Sequence, residues 1–273
     1  MRNIGGALSL LIACVATGCQ PVGVDRPITT AGGQPANEAA ARKSLLAYLQ
    51  SQNTTGFLVI KNNVTLVAEN WPPPADPLFD LFRYEMTDQG ELLEDVASQQ
   101  KSFVAILVGI AVDKGLVNVA APVSQYIGAG WSKASPEQES RIQVEHLLAM
   151  NSGLNEKLEY VAPPGTDFFY NTPAYAVSKR VLAAASGLSL EAMTADWLTK
   201  PLAMPHTQWR ERPAAFGDVG NSSGLVTTPG DSARFGAMVL HGGVNPDGHR
   251  IISEDELRKI FRPSAANPAY GRL

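Results

Sequence analysis

The chain has 273 residues, 45% of them hydrophobic and 18% charged, with a net charge of −4 and a pI near 5.6. That length supports one large domain or two small ones with a full core, and the scattered lysines and arginines argue against a nucleic-acid partner. The four histidines are equally dispersed, with no His-Glu-x-x-His and no Cys–His cluster, so neither a metal site nor a cofactor is expected.

Both cysteines fall within the first nineteen residues. Met1-Arg2-Asn3 is positively charged, Ile4 to Ala16 is almost wholly apolar, and Ala16-Thr17-Gly18 brings small residues up to Cys19. This reads as an export signal, too short to span a bilayer. A cysteine behind small residues resembles the lipobox of bacterial lipoproteins, which would make Cys19 the lipidated first residue of the mature chain. Cys14 after Leu11-Ile12-Ala13 is an alternative with a shorter apolar stretch, and plain secretion is another. Gln20 behind Cys19 resembles outer-membrane sorting, so the expected location is the cell envelope, lipid-anchored at the periplasmic face of the outer membrane. The mature domain would then hold no disulfide. Residues 20–36, rich in Gly, Pro and Thr, read as a tether, and the folded domain is expected over 37–273.

From Asn37 the pattern turns helical, with Leu45, Leu46 and Leu49 on one face, and Asn53-Thr54-Thr55-Gly56 ends it. Phe57–Ile60 and Val64–Ala68 around Lys61-Asn62-Asn63 predict a hairpin. After the proline-rich stretch Trp71 to Pro77, a long apolar run from Phe103 to Val112 predicts a buried helix stopped by Asp113-Lys114-Gly115. Past Val119 the pattern reads as helices and loops: Ser124–Ile127, Val144–Met150, Pro173–Ser186, Ala192–Thr199, Pro229–Leu240 and Glu254–Phe261. A helical subdomain is therefore expected over about residues 120–262.

Ser98 and Lys101 stand at the head of the apolar helix. Residues three apart share a helix face, so the lysine can reach the hydroxyl, and a Ser–Lys pair so placed can be nucleophile and base. A lysine withdrawn from water gives up its proton more readily. A chance spacing of the two residues is the bland alternative. Further on, Thr172-Pro173 predicts a helix N-cap followed by proline, which would hold Tyr170 on a rigid corner, as a catalytic group or as an aromatic plug. A rival serine, Ser222 in Gly220-Asn221-Ser222-Ser223-Gly224, matches the Gly-x-Ser-x-Gly elbow. That elbow needs a strand before it and a helix straight after, and here Phe216–Val219 reads as no strand while the next helix waits for the Thr228 cap, backed by Asp231.

Ser98-x-x-Lys101, then Leu147-Leu148-Ala149-Met150-Asn151-Ser152-Gly153-Leu154, then Pro164-Gly165-Thr166 leading into Tyr170, and Ser223 to Gly236 together resemble the class C β-lactamase-like serine hydrolases. That family includes D-alanyl-D-alanine peptidases, family VIII esterases and 6-aminohexanoate-dimer hydrolases. The resemblance runs from Phe57 to the C-terminus. It implies an α+β, β-lactamase/transpeptidase-like fold, an antiparallel sheet flanked by helices plus the helical subdomain, with the active site between them. It implies Ser98 as acylated nucleophile with its own N–H as one oxyanion donor, Lys101 as base, and Tyr170 as proton relay. The substrate would be a small-molecule or peptide amide or ester: a β-lactam, a D-alanyl peptide or a small ester.

The chain departs from the family in two places. Tyr-x-Asn is usual where this chain has Tyr170-Asn171-Thr172, so the substrate contact falls to Thr172 or, by a small shift, to Asn171. No strand with Lys-Thr-Gly or His-x-Gly follows, and His241-Gly242-Gly243 reads as a helix C-cap. The C-terminal strands are thus expected to be missing, through truncation or a partial sequence. A non-catalytic envelope lipoprotein that binds peptidoglycan or a protein partner is the alternative function.

Overall fold

The computed structural model describes residues 35–75, 80–213 and 220–272, with side chains from residue 38. The signal segment, Cys19, most of the tether and Phe216–Val219 lie outside the described residues. No helix among the described residues is long and apolar enough to cross a membrane. The chain divides between Thr54 and Thr55 into two compact units. Helix α1 (Pro35–Ser51) belongs to the first, and ends where Asn53 takes a left-handed φ of +58°.

The second unit opens with the predicted hairpin, β1 (Gly56–Lys61) paired antiparallel to β2 (Val64–Asn70). Asn62 and Asn63 carry φ of +51° and +62°, the left-handed pair that a two-residue hairpin turn requires and that asparagine adopts readily.

A second, four-stranded antiparallel sheet corrects the expectation that the hairpin stands alone. It comprises β3 (Arg83–Met86), β4 (Leu92–Asp95), β5 (Gln208–Glu211) and β6 (Ser223–Thr227), in the order β3-β4-β6-β5. Two of these strands fall inside the segment read as helical and tie it to the sheet. Each is only four or five residues long. In β4 and β6 the buried Leu92-Leu93 and Leu225-Val226 are short unbroken apolar runs, which do not alternate and so give no period-two signal.

From β4 the chain passes through Val96 and a 3₁₀ turn, Ala97–Gln99, into α2 (Gln100–Asp113). The helix is buried from Gln100 to Ala111 apart from Ser102, as its all-round apolar sequence predicts. Gly115 closes it at φ +70°, with the Leu116 N–H donating back to the Ala111 carbonyl.

Around this axis pack α3 (Ser124–Ile127), α4 (Pro136–Glu139), α5 (Val144–Leu148), α6 (Thr172–Ser186), α7 (Leu190–Thr194), α8 (Pro229–Leu240) and α9 (Glu254–Phe261). Phe103 stacks on Phe235 of α8 with ring centroids 4.0 Å apart. Where one helix was expected from Ala192 to Thr199, α7 gives way to a π turn at Ala195–Thr199.

Asp231 in α8 is fully buried, and its carboxylate accepts from the His206 N–H and Thr207 Oγ1, both at 2.9 Å, and pairs with Arg234 at 2.8 Å. It thus fastens α8 to the segment entering β5, beyond the capping role read from the sequence. Thr228 does cap α8, accepting from the Asp231 N–H at 3.2 Å.

Candidate functional site

The strand-to-helix turn at Ala97–Gln99 carries the candidate nucleophile. Ala97 has φ +46°, a left-handed conformation that costs a residue with a Cβ about 1–2 kcal/mol and must be held by its surroundings. Two side chains hold it. The Ala97 N–H donates to Asp95 Oδ1 at 2.8 Å, and its carbonyl accepts from Gln100 Nε2 at 2.9 Å. Ser98 is thereby exposed, one residue past the strained corner.

Lys101, 5% exposed, lies beneath it with Nζ 3.0 Å from Ser98 Oγ. The pairing predicted from the i, i+3 spacing is therefore formed. The helix itself begins at Gln100, so Ser98 sits in the 3₁₀ turn ahead of it and not in α2.

Two tyrosines of the α6 corner face Lys101 Nζ. Lys101 Nζ is 4.9 Å from the ring centroid of Tyr170 and 5.9 Å from that of Tyr175, within cation–π range of both. Tyr170 is 45% exposed and so open to solvent. Tyr175 is buried, its Oη 2.9 Å from the carbonyls of Lys101 and Arg272, and burial, then the neighbouring Tyr270 and Tyr170, keep its phenol protonated well above the usual range.

The corner differs from the sequence reading in one residue. Asn171, not Thr172, is the N-cap: its Oδ1 accepts from the Ala174 N–H at 3.0 Å, and Thr172 and Pro173 are the first helical residues. Asn171 Nδ2 donates to the carbonyls of Leu154 and Asn155, and the residue is 1% exposed. Both amide hydrogens are spent on the protein, so Asn171 has no donor to offer a substrate. Thr172, half-buried at the start of α6, remains beside Tyr170.

Sequence reasoning missed the polar layer behind the nucleophile turn. Asp95 pairs with Arg212 through Nε at 2.7 Å and Nη2 at 2.8 Å, with both side chains buried. Gly224 in β6 makes room for this pair: a Cβ there would fall 1.9 Å from Asp95 Oδ2. Lys179 of α6 is also buried and donates to Asn221 Oδ1, the Ser223 carbonyl and Ser223 Oγ at 2.6, 2.7 and 3.0 Å. Burial lowers its pKa to about 7, helped by Arg212 and Lys101 and opposed by Asp95. A lysine in register with Tyr175 and Leu182 on one helix face was the available signal.

Ser222 is exposed and precedes strand β6, with the next helix at α8, so the elbow geometry is not built around it. His146 accepts the Gln143 N–H at Nδ1, 3.1 Å away, and His241 caps α8.

The sequence profile of the Beta-lactamase family matches residues 56–272. No curated protein matches the chain. Among solved structures, it resembles a candidate β-lactamase of Bacteroides dorei DSM 17855, at TM-score 0.65 and 20% identity over 81% of this chain and 68% of that one. The octameric penicillin-binding protein homologue of Pyrococcus abyssi aligns at TM-score 0.61 and 17% identity over 82% and 60%. The β-lactamase/D-alanine carboxypeptidase of Yersinia pestis aligns at TM-score 0.58 and 17% identity over 79% and 73%. The chain thus spans 60–73% of the length of these three structures. With the profile covering most of the sequence and the same fold recurring in these structures, the chain belongs to the β-lactamase family, among its class C-like members.

Proposed function

We propose that this protein is a serine hydrolase that cleaves an amide or ester through an acyl-enzyme on Ser98. The observation that carries the reading is the 3.0 Å contact between the exposed Ser98 hydroxyl and the buried Lys101 amine. In the acylation step Ser98 Oγ attacks the substrate carbonyl carbon while its proton passes to Lys101. The Ser98 N–H, at the head of the turn, is the proposed oxyanion donor. As the tetrahedral intermediate collapses, the bond to the leaving group breaks, and a proton delivered through Tyr170 goes to that group. Water, losing a proton to the same tyrosine, then attacks the acyl carbonyl; the bond from the acyl carbon to Ser98 Oγ breaks, the proton returns to Oγ through Tyr170 and Lys101, and the acid product leaves. Tyr170 is assigned this relay because its ring centroid is 4.9 Å from Lys101 Nζ and the residue is open to solvent. The substrate classes proposed are a β-lactam, a D-alanyl peptide or a small ester. Anchoring in the envelope through Cys19 is part of the same proposal, and incorporation of labelled fatty acid that is lost in Cys19→Ala tests it.

Treatment with a fluorophosphonate or a fluorescent penicillin, followed by peptide mapping, is expected to find the adduct on Ser98. Ser98→Ala should abolish it in a folded protein. Lys101→Met should slow labelling by about 10²–10⁴-fold, the usual contribution of a positioned base. An adduct on Ser222, or none on the wild-type protein, overturns the assignment.

A further inference from the structure

Lys179 sits in the apolar packing of α6, where a leucine or methionine would satisfy the helix, and burying an ammonium costs several kcal/mol before its partners offset it. Its bonds lead toward the nucleophile. Asn221 accepts from Lys179 through Oδ1 and donates through Nδ2 to Gln100 Oε1 at 3.2 Å. Gln100 in turn donates through Nε2 to the Ala97 carbonyl. Both amides are buried.

A primary amide can face a neighbour with either end, and its orientation is fixed only by its partners. With a pKa of about 7, Lys179 is present as ammonium and as neutral amine, and in either form it donates to Asn221 Oδ1 and the Ser223 carbonyl, because the Ser223 hydroxyl can supply a hydrogen to the amine's lone pair. Asn221 must therefore turn its oxygen to Lys179, which leaves its NH₂ group for Gln100. Gln100 must then accept from Asn221, which leaves its own NH₂ group for Ala97. The polarity of the whole chain is set from both ends, by Lys179 as donor and by the Ala97 carbonyl, which can only accept, and without Lys179 only the carbonyl is left to hold it. Were both amides reversed, Gln100 would push an oxygen against the Ala97 carbonyl at the left-handed corner that presents Ser98.

We propose that Lys179 is a positioning residue for Ser98: as an obligate donor it fixes the orientation of Asn221 and Gln100, so that the Ala97 carbonyl always meets a donor. The inference rests on Ser98 being the nucleophile, yet part of its test does not.

Two variants test it. Lys179→Met removes the obligate donor while filling the same volume. Asn221→Asp is isosteric and keeps the partner of Lys179, but a carboxylate has no donor for Gln100, which must then turn its NH₂ toward Asp and its oxygen toward Ala97. A lysine that merely packs or pairs would be undisturbed by that second change. In both variants fluorophosphonate labelling of Ser98 is expected to slow by about 10–100-fold, the scale of a small misplacement at a reacting atom. Amide exchange in the peptide spanning Ala97 to Lys101 is expected to quicken several-fold, with a cooperative thermal transition retained. Wild-type labelling in Asn221→Asp overturns the proposal. If the wild-type protein does not label at Ser98, the nucleophile assignment falls, and exchange alone decides the relay: faster exchange in both variants supports it, and unchanged exchange in either overturns it.

Discussion

At Ala97 the backbone adopts a conformation that glycine takes without a Cβ penalty. Ala97→Gly should therefore relieve local strain, while adding freedom that the unfolded chain and the turn both gain. The expected outcome is a melting temperature that moves little and Ser98 labelling that slows, because the hydroxyl is presented less consistently over Lys101. Parallel calorimetry and labelling would check this, and labelling unchanged by the glycine would show that the strain plays no part in presenting Ser98. The Ser–Lys contact itself was legible in the sequence because it depends on local spacing alone. The role of Asn171 was not, since which residue caps α6 depends on Leu154 and Asn155, carbonyls donated by a distant loop.

Helix α5 offers a pH-dependent element. His146 accepts the Gln143 N–H at its start, and burial lowers its pKa from 6.5, with the neighbouring Glu145 pulling the other way. Its folded form favours the neutral ring, so this stabilisation is present above about pH 6.5 and is lost as pH falls below it, when the proton takes the accepting nitrogen. The melting temperature should fall on acidification through that range, and His146→Gln should flatten the dependence; an identical slope in the variant would assign it to other groups. In the four-stranded sheet, Gly224→Ala should force Asp95 and Arg212 apart. Removing one partner from such a buried pair costs about 3–5 kcal/mol, measurable by chemical denaturation, and Asp95 also holds the Ala97 N–H, so Ser98 labelling should fall with it. Helices with long periodic apolar faces, such as α2 and α6, could be read from the sequence. Strands of four or five residues could not, because their evidence is a partner far along the chain.

Across the second unit, the elements around Ser98 come from well-separated stretches: the turn from residues 97–99, the aromatic corner from Tyr170 and Tyr175, and the strand behind the turn from 223–227. The family's order of motifs made this assembly legible at the coarsest level. The polar layer formed by Asp95, Arg212, Lys179 and Asn221 was not, because no two of its members are neighbours in sequence. Glu94 pairs with Thr227 and Asp95 with Val226, so β4 has no inner neighbour until β6 has been made. On the ribosome, at about 5–20 residues per second, the nascent chain would wait on the order of ten seconds between synthesis of the two strands. Arrested chains that stop short of β6 should not react with a serine probe, and those that expose β6 and α8 should begin to do so. The proposed nucleophile is thus presented only after β6 has been made, more than a hundred residues beyond the codon for Ser98.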